Sequence, residues 1–320
     1  MSKWLSIKKN KYKNLTIAFS GKNIKEYLIL AIESFLHFYP ELKDNIVVFD
    51  DKSTDGTKEW LNSRNIRWIT WEHFSEDLRN KSNYSRSIGD DVGRAFKIDL
   101  IIKELLLQIN TKYLLLNDGD VVFLDKGFLE KYINSDNIVI GPECYFNYNK
   151  QLITQYPKYE ELIHPEDLEK YNNEEYHDII RVYRLWPYHI FCNLELIKMI
   201  GMLGDSYNYI LSKNKNKFMP VDPGHDILLR LMHEEIPHKM LSENEINKYI
   251  YHFTFIANVK NRLRNPDKFV IKDKIKYLEG NIKYLNHKLN LIKKYDHVKY
   301  IIKINNLDFI ELLKKELKGK

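Results

Sequence analysis

Two aspartates one residue apart, Asp118 and Asp120, interrupt an apolar run that opens at Tyr113 and resumes as Val121-Val122-Phe123. Such a run reads as a buried β-strand. Asp is a poor strand residue and costly to bury without a partner, so both carboxylates are expected where the strand emerges. Placed there they can share a hard divalent cation, Mg²⁺ or Mn²⁺, and leave coordination positions open for phosphate oxygens. The competing explanation is a surface Asp-Gly-Asp turn. A second acidic stretch, Asp50-Asp51-Lys52-Ser53-Thr54-Asp55-Gly56-Thr57, leaves the apolar run Ile46–Phe49. Its Ser, Thr, Asp and Gly residues also suit a turn and a helix cap.

The elements that must position these groups alternate. Leu15–Ser20 reads as a strand. A helix pattern follows through Tyr27, Leu30, Phe35 and Phe38 and is stopped by Pro40. Ile46–Asp50 is a second strand, Thr57 opens a helix, and Ile66–Thr70 is a third strand. This β-α-β-α-β order argues for an α/β fold, a Rossmann-like, mostly parallel sheet flanked by helices. In such sheets ligands sit beyond the carboxyl ends of the strands, where the loop Asp50–Asp55 lies. Ser87 to Asn110 is a long helical pattern that feeds the strand at Tyr113. Strands are expected at Asn137–Gly141, Tyr145–Tyr148 and Tyr249–Phe255, and helices at Leu194–Met202 and Ile227–Met232. Residues 147–178 have weak periodicity and read as a lid or an inserted helical piece. Beyond Asn258 the Lys/Leu/Tyr/Ile-rich sequence predicts two or three helices. The expected domains are therefore a catalytic domain, 1–258, and a basic C-terminal helical appendage, 259–320.

Composition bounds the rest. A hydrophobic content of 44% with 29% charged residues is globular. Cys144 and Cys192 are the only cysteines, so no disulfide framework or thiolate metal site is implied. The N-terminal stretch lacks the apolar core of a signal peptide, and no uncharged run approaches the roughly 18–20 residues of a bilayer span. A soluble, cytoplasmic protein is expected. The net charge of +6 is uneven: Lys260 to Lys320 hold 17 Lys and Arg against 7 Asp and Glu. That basic tail reads as a solvated helical face or as a peripheral contact with a membrane or an anionic polymer. No zinc finger or aromatic ribonucleoprotein box points to nucleic acid.

The ordered set Thr16-Ile-Ala-Phe-Ser-Gly-Lys-Asn23, Tyr27-Leu-x-x-Ala31-Ile-x-Ser34-Phe, Val47-Val-Phe-Asp50-Asp51-Lys-Ser53-Thr-Asp55-Gly56-Thr57, Gly93-Arg94-Ala95 and Asp118-Gly119-Asp120 resembles the nucleotide-sugar glycosyltransferases of the A-type fold, most of all family 2. The likeness covers residues 14–125 well, 180–255 loosely and the appendage not at all. It implies a metal-dependent enzyme moving a sugar from a nucleotide-diphosphate sugar, a UDP-sugar above all, to a hydroxyl of a glycan, glycolipid or protein acceptor.

By that resemblance Asp50 or Asp51 accepts from the nucleobase, and Asp118 and Asp120 hold Mn²⁺ or Mg²⁺ against the diphosphate. His252 becomes a third metal ligand; a satisfied core histidine is the other reading. Asp226, in Gly224-His225-Asp226, matches the acidic motif that supplies the base of inverting members. His225 departs from the usual pair of acids there, and Asp222 is a rival. Trp186 and Tyr188 fall where acceptors bind, as do Tyr145 and Tyr148. Ser20, Arg94 and Lys97, with Arg86, are candidates for the donor's phosphates. The alternatives are a retaining enzyme of the same fold, a nucleotidyltransferase, and a non-catalytic protein binding carbohydrate or an anionic polymer.

Overall fold

The computed structural model describes residues 12, 14–70, 109–133, 139–150, 157–173, 179–185, 189–194, 228–229, 231–253 and 274–318. The chain divides into two compact units. One comprises Met1–Ile17, Trp71–Leu116 and Lys131–Glu245, the other Ala18–Thr70, Asn117–Glu130 and Ile246–Lys320. The strands β1 (Leu15–Gly21) and β4 (Tyr113–Asp118) each pass through both.

The second unit carries the alternating order expected from the sequence. After β1 come α1 (Lys25–Phe38), β2 (Ile46–Asp50), α2 (Thr57–Ser63) and β3 (Arg67–Ile69). Its strands are ordered β3-β2-β1-β4. β2 and β3 are parallel. Tyr113 N–H donates to Asn14 O and Gly119 N–H to Ser20 O at one constant sequence offset, so β1 and β4 are parallel too. All five residues of β2 are buried, as a β-branched and aromatic run in a parallel strand should be. α1 contains no Gly or Pro and buries eight of its residues, Tyr27 to Ile32 with Ser34 and Phe35. It is apolar nearly all round, the signature of an interior helix.

The same unit holds β5 (Val121–Phe123) and β10 (Ile250–His252), which form an antiparallel pair of their own. It also holds three C-terminal helices, α3 (Lys274–Ile292), α4 (Asp296–Ile304) and α5 (Phe309–Lys318). Leu285, Leu289 and Ile292 of α3, Val298 and Ile301 of α4, and Phe309 and Leu313 of α5 recur at helical spacing. They bury against Tyr27 and Leu30 of α1, Val122 of β5, and Phe253. Asp308 begins α5 by accepting the N–H groups of Ile310 (3.1 Å) and Glu311 (2.9 Å).

In the first unit β6 (Val139–Asn149) is one continuous strand where the sequence suggests two. Gly141-Pro142 reads locally as a break. In the structure Pro142 sits where β6 changes partner. Val139 and Ile140 pair antiparallel with β8 (His189–Asn193), while Glu143–Asn149 pair antiparallel with β7 (Ile179–Leu185). A residue without an N–H is tolerated at such a hand-over. β9 (His238–Leu241) runs parallel to β6. Antiparallel pairing at β6 is a feature that the alternating order of the first strands did not foretell. Part of 147–178 forms short turns and the helix Leu168–Asn172.

That segment is pinned to β7. The buried Asp167 carboxylate accepts from Arg181 Nε at 2.8 Å and from Lys170 Nζ at 2.9 Å. Hydrogen bonding to Arg181 outweighs burial and holds the Asp167 carboxyl far below the usual carboxylate range. A depressed folded-state pKa stabilises above the unfolded value, about 3.9, and the contribution disappears as pH falls through the folded value. Asp167→Asn should therefore cost about 2 kcal/mol at pH 7, the range of charge-assisted hydrogen bonds, since it takes the buried carboxylate from Arg181 and Lys170 and leaves Arg181 only the exposed Glu166 at 2.9 Å. In urea titrations the gap from wild type should persist to about pH 4 and close only in stronger acid. A gap already closed at pH 6 would refute the ion-pair account.

No helix among the described residues is long and apolar enough to cross a membrane.

Candidate functional site

Asp118 ends β4 and Asp120 follows the one-residue turn at Gly119. The pairing of β5 with β10 sets Val121 opposite His252, which brings that imidazole back to the acidic pair. His252 Nε2 lies 3.0 Å from Asp120 Oδ1 and 3.8 Å from Asp118 Oδ2. One donor atom from each of the three residues falls within 4.8 Å of the others. Asp120 and His252 are enclosed, with side chains 11% and 10% exposed, while that of Asp118 is 47% exposed. Two anchored ligands and one facing solvent leave a side from which a phosphate oxygen could approach. Burial alone would push the His252 imidazole down; the charge of Asp120, their hydrogen bond and the charge of Asp118 carry it above its ordinary value. Concentrated negative charge favours the protonated ring there, and a divalent cation would answer the same charge.

The loop after β2 is tied to the loop after β1. Ser53 Oγ accepts the Asn23 N–H at 2.9 Å, and Asn23 Oδ1 accepts that of Thr54 at 2.8 Å. Asp55 accepts the N–H of Lys25 at 3.0 Å and that of Thr57 at 3.2 Å, so one carboxylate caps the starts of both α1 and α2. Gly56, before α2, has φ +83°, which glycine adopts without strain. Asp50 is buried and turned into this loop, accepting the Ser53 N–H at 3.2 Å with Lys58 Nζ 4.0 Å away. Asp51 is buried as well, with Lys22 Nζ at 3.9 Å. Its backbone N–H donates to Gly21 O, one residue beyond the Ser20 carbonyl that accepts the Gly119 N–H at 2.7 Å. The end of β1 is thus flanked by the Asp51 loop on one side and the acidic pair on the other.

That close approach explains Gly119. A Cβ there would lie 2.7 Å from Ile24 Cδ1 and 3.0 Å from the Ser20 carbonyl oxygen. The side chain can yield but the backbone carbonyl cannot move without β1. Gly119→Ala should keep the fold and displace Asp118 and Asp120 relative to His252, weakening the affinity of a divalent cation placed between them on the order of tenfold, an expectation scaled from ligand-positioning effects. Calorimetric titration of Mn²⁺ reads it, and unaltered affinity would show that the turn has room to spare.

No protein-family model matches this chain, and neither does any curated protein. Solved structures do. The mannosyltransferase Ktr4p from S. cerevisiae is 12% identical, covering 77% of this chain and 72% of that one at a TM-score of 0.47. Core-mannan synthase A from Aspergillus fumigatus, in a Mn/GDP form, is 12% identical over 75% of each chain, with a TM-score of 0.44. Glucosyl-3-phosphoglycerate synthase from Mycobacterium tuberculosis, in complex with Mn²⁺ and UDP, is 15% identical over 78% of this chain and 76% of that one, with a TM-score of 0.38. The resemblance is to glycosyltransferases. With all three TM-scores below 0.5 it is a likeness of outline, and the chemistry has to be read from the residues.

Of the residues singled out in the sequence, Ser20, Asp50, Asp51, Asp118, Asp120 and His252 all belong to the second unit. Tyr145 and Tyr148 lie on β6 in the first. Arg86, Arg94, Lys97, Trp186, Tyr188, Asp222 and Asp226 lie outside the described residues. Asn23 and Gly21 belong to the loop and motif seen in the sequence but carried no individual role there, although Asn23 has φ +54° and organises the loop with its amide. Asn is among the residues that tolerate this conformation, and Gly-Lys-Asn after a strand was the available signal.

Proposed function

We propose that the chain is a metal-dependent glycosyltransferase that moves a sugar from a nucleotide-diphosphate sugar to an acceptor hydroxyl. The observation that carries this reading is the convergence of Asp118, Asp120 and His252 beside the Asp51 loop at the end of β1. Two carboxylate oxygens and an imidazole nitrogen suit Mn²⁺ better than Mg²⁺, which prefers an all-oxygen shell. Such a cation, once bound, supplies Lewis-acid stabilisation of charge on the departing nucleoside diphosphate. Asp50 or Asp51, both buried at the end of β2, is proposed to accept from a nucleobase imide, which favours uracil and a UDP-sugar. Arg94 and Lys97 are proposed for the phosphates, and Trp186 and Tyr188 for packing on the acceptor. Asp226 is proposed as the base that takes the proton of the acceptor hydroxyl while that oxygen attacks the anomeric carbon, giving inversion. In a retaining enzyme Asp226→Asn would be tolerated, and the anomeric configuration of the product separates the two.

Thermal-shift measurements with UDP-, GDP- and other nucleotide sugars, each with and without Mn²⁺, test the central claim. Stabilisation by one nucleotide class that needs Mn²⁺ is the expected result; none with any donor would overturn it. A peripheral lipid contact is also proposed for the C-terminal helices. Tyr300 and Ile304, one turn apart on α4, are exposed (61% and 55%) beside the exposed Lys299 and Lys303. That mixture suits an anionic headgroup layer. Co-sedimentation should occur with phosphatidylcholine vesicles containing phosphatidylglycerol and not with phosphatidylcholine alone. Equal recovery with both would sink the idea.

A further inference from the structure

The two-stranded sheet that joins Asp120 to His252 is too small to be stable by itself. Leu124 N–H donates to Tyr249 O at 2.7 Å and Phe253 N–H to Asp120 O at 3.0 Å, so residues 120 and 124 turn their backbone groups toward β10. The antiparallel ladder then points the N–H and C=O of Phe123 to the opposite side, where β5 is an edge. Both groups are nonetheless bonded. The N–H donates to Ser34 Oγ of α1 at 3.0 Å, and the C=O lies 3.0 Å from His297 Nε2 of α4. A carbonyl only accepts, so Nε2 carries the proton. The His297 ring stacks on His37, at the end of α1, with centroids 4.7 Å apart and planes 12° from parallel. Phe38 meets it edge-on at 4.9 Å.

We propose that His297 and Ser34 are positioning residues for the metal ligands. They fasten the outer edge of β5, and through His297 and its stacked partner His37 the C-terminal helices hold Asp120 and His252 together in an acid-sensitive way. This rests on the cation reading of those two residues only where metal affinity is concerned. Ser34 hydroxyl donates in turn to Ala31 O at 2.9 Å, so its fastening is fixed by its own helix and does not titrate. His297 does titrate. Burial first, and then the charge of His37, lower its pKa, against the Phe123 bond and Asp296, which raise it. A histidine with a depressed folded pKa stabilises the docked state above the undocked value, about 6.5, and that contribution is lost as pH falls below it. His252 has the opposite shift and acts in the opposite sense, so the effect has to be read as a difference between variants.

Hydrogen exchange of amides 121–124 in the full chain, expressed as protection factors at pH 7.5 and 5.5, reads the fastening without any ligand. Wild type should lose protection on acidification. His297→Leu should lower protection at least tenfold already at pH 7.5 and weaken Mn²⁺ binding by about the same factor. His297→Gln keeps a donor that cannot titrate, and should retain protection at pH 7.5 while losing the acid-dependent drop. Unchanged protection in His297→Leu would overturn the proposal, and so would an identical acid response in wild type and His297→Gln. Should His297→Leu not fold, the Gln variant decides alone. If wild type binds no Mn²⁺, the cation reading fails, while the exchange data still decide whether His297 and Ser34 hold the strand.

Discussion

Asp120→Asn should lower sugar transfer by at least three orders of magnitude while leaving the chain folded. Asp120 is the residue around which the proposed cation cluster is organised: its carboxylate is enclosed, 3.0 Å from His252, and its backbone carbonyl accepts the Phe253 N–H. The substitution keeps that backbone bond and the side-chain volume, so the strand pair survives. What disappears is the buried negative charge that a divalent cation needs. A cation's stabilisation of a leaving diphosphate is several kcal/mol, and a thousandfold in rate is about 4 kcal/mol. Mn²⁺ affinity should fall in parallel, read by calorimetry, with the melting temperature of the metal-depleted protein shifting little. Asp118→Asn, at a half-exposed position, should show the same direction with a smaller loss. Full activity in Asp120→Asn would remove the foundation of the functional reading.

Phe309→Ala should destabilise the protein by about 3–5 kcal/mol, the usual range for emptying a buried phenylalanine site. Its ring centroid is 4.6 Å from that of Tyr27 on α1 and 6.0 Å from that of Phe253, and the side chain is fully enclosed. Phe253 in turn follows His252 directly and donates its N–H to Asp120 O. Loss of the Phe309 ring therefore loosens the support of Asp120 and His252 as well as the core. Urea unfolding with Mn²⁺ titration on the same sample measures both. A loss below about 1 kcal/mol would mean that α5 closes over the vacancy, and that the C-terminal helices matter less to this unit than their shared core indicates.

The strands and helices up to Thr70 were legible because their signals are local. Ile46–Asp50 is a continuous buried run, Pro40 stops α1, and Asp55-Gly56-Thr57 carries its own cap chemistry. Pairing choices were not legible. Gly141-Pro142 looks like a break until the change of partner from β8 to β7 is seen. The basic tail reads in composition as a solvated appendage, yet its apolar positions bury against α1, since periodicity shows that a helix has an inward face and never which neighbour it meets.

An acidic pair at the end of a buried strand, and a capped acidic loop at the end of an earlier one, are written in the local sequence, because an apolar run and its flanking turn residues encode burial and direction. The three-dimensional packing alone sets His252, 132 residues along the chain, 3.0 Å from Asp120, brings the Asp51 loop beside the end of β1, and puts His297 on the far edge of β5. Those are register and docking choices. They depend on which hydrogen-bond edges and apolar faces find one another after the chain has folded, and no window of sequence contains both partners.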